Sequence, residues 1–144
     1  MKTILARLAA LPLIAVLAYL FARGELFSSS PLVITGQLGG VLLILWSRAI
    51  FRNQQFRFVP EPGSGALVRS GPYRLIRHPI YAGAMLLVWS SLFAHPSLLN
   101  VAIGLIASTL LPIRIAVEEE FLRGHYPDYA EYTRITNRLI PFIY

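Results

Sequence analysis

The 144 residues are enough for one domain, and 56% of them are hydrophobic against 14% charged, where a soluble domain carries about 25% charged residues; the balance places the chain in the membrane class. A net charge of +6 raises nucleic acid as a partner, yet the basic residues sit between long apolar runs and face one side of the topology derived below, which is an orientation signal and not a nucleic-acid surface. With no cysteine in the chain, disulfides, thiolate catalysis and cysteine-ligated metals are excluded.

Residues 4–22 are apolar except for Arg7, a run of about 19 that suits one membrane crossing. Lys2 and Arg7 also match the basic head of a signal peptide. No small-x-small cleavage pattern precedes Arg23, so the segment is read as a retained helix, with Pro12 as a candidate kink. Residues 23–30 form a short polar turn. Pro31 to Phe51 is predicted as the second crossing. Its Gly36 and Gly40 are spaced i, i+4, with Gly39 beside them. Such a face lets another helix pack closely, although glycine is also simply common in membrane helices.

Residues 52–77 are the long connection. They hold Arg52, Arg57, Arg69, Arg74 and Arg77, and turn material from Pro60 to Gly65. Phe56–Val59 and Ala66–Arg69 have the composition of a small hairpin. A long ordered loop is more often functional than not. This one leads into Gly71-Pro72-Tyr73-Arg74-Leu75-Ile76-Arg77-His78-Pro79-Ile80-Tyr81-Ala82-Gly83, where polar, ring-bearing and cationic residues crowd at the mouth of an apolar run. His78-Pro79 marks a helix start: proline suits the first helical position, and the residue before it is pushed out of the helical region. The free N–H groups and partial positive charge of a helix start suit an anion. Arg74, Arg77 and His78 add donors there. Arginine and tyrosine are equally ordinary at a membrane edge, so Tyr73 reads as an interfacial anchor or a ligand contact alike.

Pro79 to Ala94 is the third apolar segment. Its roughly 16 residues rise about 24 Å, short of the about 30 Å of a full crossing. The His95-Pro96-Ser97 turn leaves no room for a loop. The third and fourth helices must therefore form a tight antiparallel hairpin, with His95 a turn residue at the far membrane face. Leu98 to Val117 is the fourth crossing, interrupted by Pro112 and Arg114, and Glu118-Glu119-Glu120 continue the helix. A short tail helix is predicted from Asp128 to Arg134. The apolar, aromatic end from Leu139 is read as lying along the membrane surface. Every lysine and arginine except Arg23 then falls on one side. The positive-inside rule makes that side cytoplasmic, with both termini inside.

The hairpin brings His78 and the glutamates to the same face. Counted from the turn, Pro79 is level with about Pro112, and Glu118 lies about 9 Å further out. A tall ligand would be bracketed between a cationic helix start and an acidic helix end. Successive glutamates point about 100° apart, so at most two of Glu118, Glu119 and Glu120 face one site. Arg114 and Glu118 form an i, i+4 pair able to bridge. A solvated acidic face is the plainer reading, but acids at a helix carboxyl end oppose its dipole and call for a compensating cation. The three histidines are far apart in this topology, so no metal site is expected.

Gly71-Pro72-Tyr73-Arg74-x-x-Arg77-His78-Pro79-x-Tyr81-x-Gly83, Glu118-Glu119-x-x-Leu122, Tyr126-Pro127, Tyr129-x-x-Tyr132 and Ile140-Pro141 together resemble the isoprenylcysteine carboxyl methyltransferase and phospholipid methyltransferase superfamily, over about residues 66–141. Many members have Phe-Gly where Tyr126-Pro127 stands, and Glu120 is a third acid. The resemblance implies an all-α integral membrane protein. It would have about four transmembrane helices, a tight hairpin of helices 3 and 4, and a cytoplasmic cofactor-binding cap. The whole chain, 1–144, would be one methyltransferase domain: two amino-terminal crossings in 1–51 and the catalytic half in 66–141. It implies S-adenosylmethionine as cofactor, held by Tyr73, Arg77, His78, Tyr81 and the backbone near Gly83. Glu119 or Glu118 would take the cofactor's amino group.

The chemistry agrees with that reading. A helix start with Arg77 and His78 suits the cofactor's carboxylate, a glutamate its ammonium, and tyrosine rings its sulfonium. Catalysis then needs in-line positioning and exclusion of water. Arg114 would orient an anionic acceptor group, and Glu118 or His78 would take the proton of an amine acceptor. The expected acceptor is lipophilic, with the carboxylate of an isoprenylcysteine type favoured; prenylated cysteine, phosphatidylethanolamine and other lipid-like molecules all fit. The expected setting is a bacterial or archaeal inner membrane, with the lipid bilayer as partner and neither nucleic acid nor metal. Two competing readings are an NADPH-dependent reductase of the sterol-reductase type, which shares an Arg-His-Pro-x-Tyr stretch, and a non-catalytic membrane protein that keeps the fold.

Overall fold

The computed structural model describes residues 11–50, 67–141 and 143. Among them are five α-helices and no strand: α1 (Leu11–Ala22), α2 (Pro31–Ile50), α3 (Pro79–Ala94), α4 (Leu98–His125) and α5 (Tyr129–Ile135). A 3-10 turn at Gly71–Arg74 precedes α3. The hairpin expected over 56–59 and 66–69, the first turns of the first predicted helix, Phe51, and the cations Lys2, Arg7, Arg52 and Arg57 lie outside the described residues.

The helix limits follow from the local chemistry. Pro79 opens α3, and His78 before it is held out of the helical region at φ −122° and ψ 58°. Pro96 blocks continuation of α3, and the His95 N–H closes its end on the Leu92 carbonyl at 3.3 Å. Ser97 caps α4: its hydroxyl accepts from the Asn100 N–H at 3.1 Å. The interruption expected at Pro112 does not occur, because α4 runs unbroken through it. One missing N–H removes a single helical bond, which membrane helices tolerate.

α2 and α3 touch backbone to backbone through glycine. A Cβ placed on Gly40 would lie 2.6 Å from the Gly83 carbonyl oxygen, and one on Gly83 would lie 2.6 Å from the Gly40 carbonyl oxygen. A Cβ on Gly36 would meet the Ser90 hydroxyl. The small-residue face of α2 is therefore used inside this chain. On the other side of α3, Val16 and Leu20 of α1 pack with Val88, Leu92 and Ala107 into a buried apolar cluster.

Polar groups tie the far end of the bundle together. Gln37 and Ser91 both donate to the Leu26 carbonyl. Asn100, 1% exposed, donates to Glu25 at 2.9 Å and to the His95 carbonyl at 2.6 Å. Its own oxygen accepts from the Tyr19 hydroxyl at 3.1 Å. His95, read as a turn residue, reaches the Phe27 carbonyl at 3.2 Å. The α1–α2 turn is thus sewn to the α3–α4 turn.

α2 and α4 are long and apolar enough to cross a membrane; α3 and the described part of α1 are shorter apolar helices. The 28 residues of α4 rise about 42 Å. A hydrocarbon core is about 30 Å thick, so a crossing that began at Leu98 would leave the last turns of α4, from Glu118 onward, projecting beyond it.

Candidate functional site

The site is built where three segments meet: the entry to α3, the carboxyl end of α4, and the chain after α5. Residues 75–78 lead from the 3-10 turn into α3 and are paired by backbone. Ile76 and Asn137 form a parallel bridge. The Arg77 N–H donates to the Asn137 carbonyl at 2.8 Å, the His78 N–H to the Arg138 carbonyl at 3.0 Å, and the Asn137 N–H to the Leu75 carbonyl at 3.0 Å. The tail is a strap across the entry to α3.

Glu119 lies under that strap, 2% exposed. Arg77 Nε donates to its Oε1 at 2.8 Å, and Arg138 donates to its Oε2 through Nε at 3.3 Å and through Nη2 at 3.2 Å. These are the cations that acids at a helix carboxyl end require. Arg77 also donates to the carbonyls of Thr133 and Thr136, which locks α5 in place. Burial alone pushes the Glu119 carboxyl up, but the contacts from His78, Arg77 and Arg138 outweigh it and hold the group at about 2.

Glu118 is one helical step away and keeps an open edge, with 24% of its side chain exposed. The Tyr81 hydroxyl donates to its Oε2 at 2.7 Å. Arg114 Nε donates to the Tyr81 oxygen at 2.7 Å, and the Arg114 guanidinium lies 5.6 Å from the Tyr81 ring centroid. Arg114 and Glu118 are thus joined through Tyr81. The His78 ring stacks on Tyr81 with centroids 5.7 Å apart and stands between the two acids. Its Nδ1 is 3.9 Å from Glu118 and its Nε2 is 3.5 Å from Glu119.

The 9 Å offset between helix start and acids is closed. Arg77 and His78 lie just before the helix, and side-chain reach carries them to the acids. Arg77, His78, Tyr81, Arg114, Glu118 and Glu119 therefore come together, while Glu120 points outward and is exposed. Tyr73 is 7% exposed and has a side-chain hydrogen bond with Ser47 of α2, so it is no surface anchor. Gly83 faces Gly40 and Ile44 of α2; what its bare backbone admits is a helix. Among the described residues no three acidic or histidine side chains are grouped to hold a metal.

A family model described as phospholipid methyltransferase matches residues 29–129. The chain belongs to that family. The cobalt-zinc-cadmium resistance protein CzcN of Cupriavidus metallidurans is 32% identical over 117 residues, which cover 78% of this chain and 50% of that protein. The chain thus spans about half the length of this curated relative. No solved structure matches.

Within this chain, sequence reasoning missed Arg138, Thr136 and the strap itself. Nothing in Thr136-Asn137-Arg138 signals pairing with Ile76. The Tyr129-x-x-Tyr132 spacing did carry information. It puts both rings on one face of α5, where they meet edge to face 5.9 Å apart, and the Tyr132 hydroxyl donates to the Tyr73 carbonyl at 2.7 Å.

Proposed function

We propose that this protein is an integral-membrane, S-adenosylmethionine-dependent methyltransferase acting on a lipid-like acceptor. The observation that carries the reading is the convergence of His78, Tyr81 and the open edge of Glu118 in a chain of this family. The residues fit the cofactor: Glu118 is a carboxylate with an accessible edge for an ammonium, and His78 Nε2 is buried with only a long 3.5 Å approach to Glu119. The start of α3 offers N–H groups beside Arg77 for a carboxylate.

When bound, the cofactor supplies a methyl group already activated by its sulfonium. The chain's own work is placement. Tyr81, fixed between Arg114 and Glu118, presents its ring where a sulfonium gains cation–π attraction. Glu119, saturated by Arg77 and Arg138, serves as the anchor for Arg77, so the ammonium falls to Glu118. Arg114, buried on the membrane side of the acids, favours an anionic acceptor group, as the carboxylate of an isoprenylcysteine type would supply. The apolar walls of α3 and α4 exclude water from the reacting atoms.

The setting we propose has four crossings, both termini and the cofactor cap on the cytoplasmic side, and a bacterial or archaeal inner membrane. The distribution of arginines supports it. Calorimetry on the detergent-purified protein, with S-adenosylhomocysteine and NADPH in parallel, tests the function. Micromolar binding of the homocysteine compound, lost in Glu118→Ala and His78→Ala, is the expected result. Binding of NADPH alone would sink the reading. Transfer of labelled methyl to prenylated cysteine or phosphatidylethanolamine in vesicles then identifies the acceptor.

A further inference from the structure

Among the described residues, two buried side-chain atoms near the site lack a well-formed hydrogen bond: the Tyr129 hydroxyl, and His78 Nε2, which stands 3.5 Å from Glu119 Oε1. Tyr129 is 1% exposed. Buried hydroxyls are almost always paired, and one that is not marks a missing partner. Tyr132, on the same short helix, is the contrast, because its hydroxyl is satisfied by the Tyr73 carbonyl.

The placement of Tyr129 says where its partner belongs. Tyr129 and Thr133 are four residues apart and share one face of α5. The Thr133 carbonyl accepts from Arg77 at 3.3 Å, and Arg77 also grips Glu119. α5 is thus anchored on Arg77, and the Tyr129 phenol feels the charges of Glu119, Arg77 and Glu118, which sets it beside the cluster that holds His78. Burial, and after it the charge of Glu119, push the Tyr129 phenol above its usual range, so it stays an O–H donor.

We propose that Tyr129 is a further residue of the cofactor site, its hydroxyl donating to the carboxylate at the amino-acid end of S-adenosylmethionine alongside His78 Nε2. This rests on the function proposed above. A donor that waits for ligand contributes nothing to the ligand-free fold, and that distinguishes it from a structural tyrosine.

The test compares Tyr129→Phe with Tyr132→Phe in the full chain. Thermal unfolding is followed without ligand, and affinity for S-adenosylhomocysteine is measured by calorimetry. Tyr129→Phe is expected to unfold at or above the wild-type temperature, because it removes an unsatisfied buried hydroxyl, and to bind about tenfold more weakly, the worth of one hydrogen bond. Tyr132→Phe is expected to unfold several degrees lower, with affinity retained within about twofold. Wild-type affinity in Tyr129→Phe, a lowered ligand-free unfolding temperature, or failure to fold would each overturn the proposal, since each makes the hydroxyl structural or idle. A wild-type protein that binds no S-adenosylhomocysteine would instead overturn the proposed function, and this proposal with it.

Discussion

The two adjacent glutamates are separated by one helical step of about 100°, and that step decides which carboxylate is buried. Glu119 turns under the strap and meets Arg77 and Arg138; Glu118 turns toward Tyr81 and keeps an edge in solvent. A carboxyl held at about 2 against an ordinary 4.5 contributes stability that is complete above the unfolded value. That stability is lost as pH falls from about 4.5 toward 2. Thermal unfolding of the wild type should therefore drop across that window, and Glu119→Gln should flatten the drop. At neutral pH the same substitution removes the charge that Arg77 and Arg138 share and should cost about 3 kcal/mol. A wild type whose unfolding temperature is flat over the window would show that the pair is not stabilising. The sequence left the choice between Glu118 and Glu119 open for a physical reason: the residue that resolves it, Arg138, arrives from a strap that no local pattern announces.

Helices were the most legible level. Proline and histidine punctuation marked both ends of α3, and Ser97 marked the start of α4. Pro112 was misleading, because a proline inside a membrane helix costs one hydrogen bond where a water-exposed helix would break. Gly36 and Gly40 were visible as a packing face, but their partner was not, since Gly83 acquires meaning only when α2 lies against α3. Gly40→Ala would drive a methyl to 2.6 Å from the Gly83 carbonyl, and the helices would have to separate. The expected cost is about 1–3 kcal/mol, seen as a lower unfolding temperature in detergent. Gly124, with nothing within 4 Å of an added Cβ, is the neutral comparison. Asn100→Ala would strip partners from Tyr19 and the His95 carbonyl, and should cost about 1–3 kcal/mol without weakening cofactor binding at the opposite end. Loss of binding in that variant would mean that the two ends are coupled.

For the whole molecule, charge carries the proposed orientation and hydropathy gives the class. The absence of cysteine makes the proposed topology easy to test. Ser29, in the α1–α2 turn, and Ala130, on α5, are both exposed. In intact cells, an impermeant thiol reagent should label Ser29→Cys and spare Ala130→Cys; in inverted membrane vesicles the pattern should reverse. Labelling of both from the same side would refute the four-crossing arrangement. The acceptor was illegible because no local motif in the sequence names one, and along lipid-facing helix walls one apolar residue resembles another.

The strap also orders events in time. Arg77 and Thr136, which it joins, are 59 residues apart, and α3 and α4 lie between them. A membrane hairpin can insert as soon as its two helices leave the ribosome, but contacts so distant in sequence form late. Until Asn137 has been synthesised and has folded back, residues 75–78 have no backbone partner and Glu119 lacks Arg138. Biogenesis is therefore expected to place the chain in the lipid first and to assemble its proposed cofactor site afterwards. Nascent chains stalled just short of Asn137 are expected to insert fully and yet fail to retain S-adenosylhomocysteine.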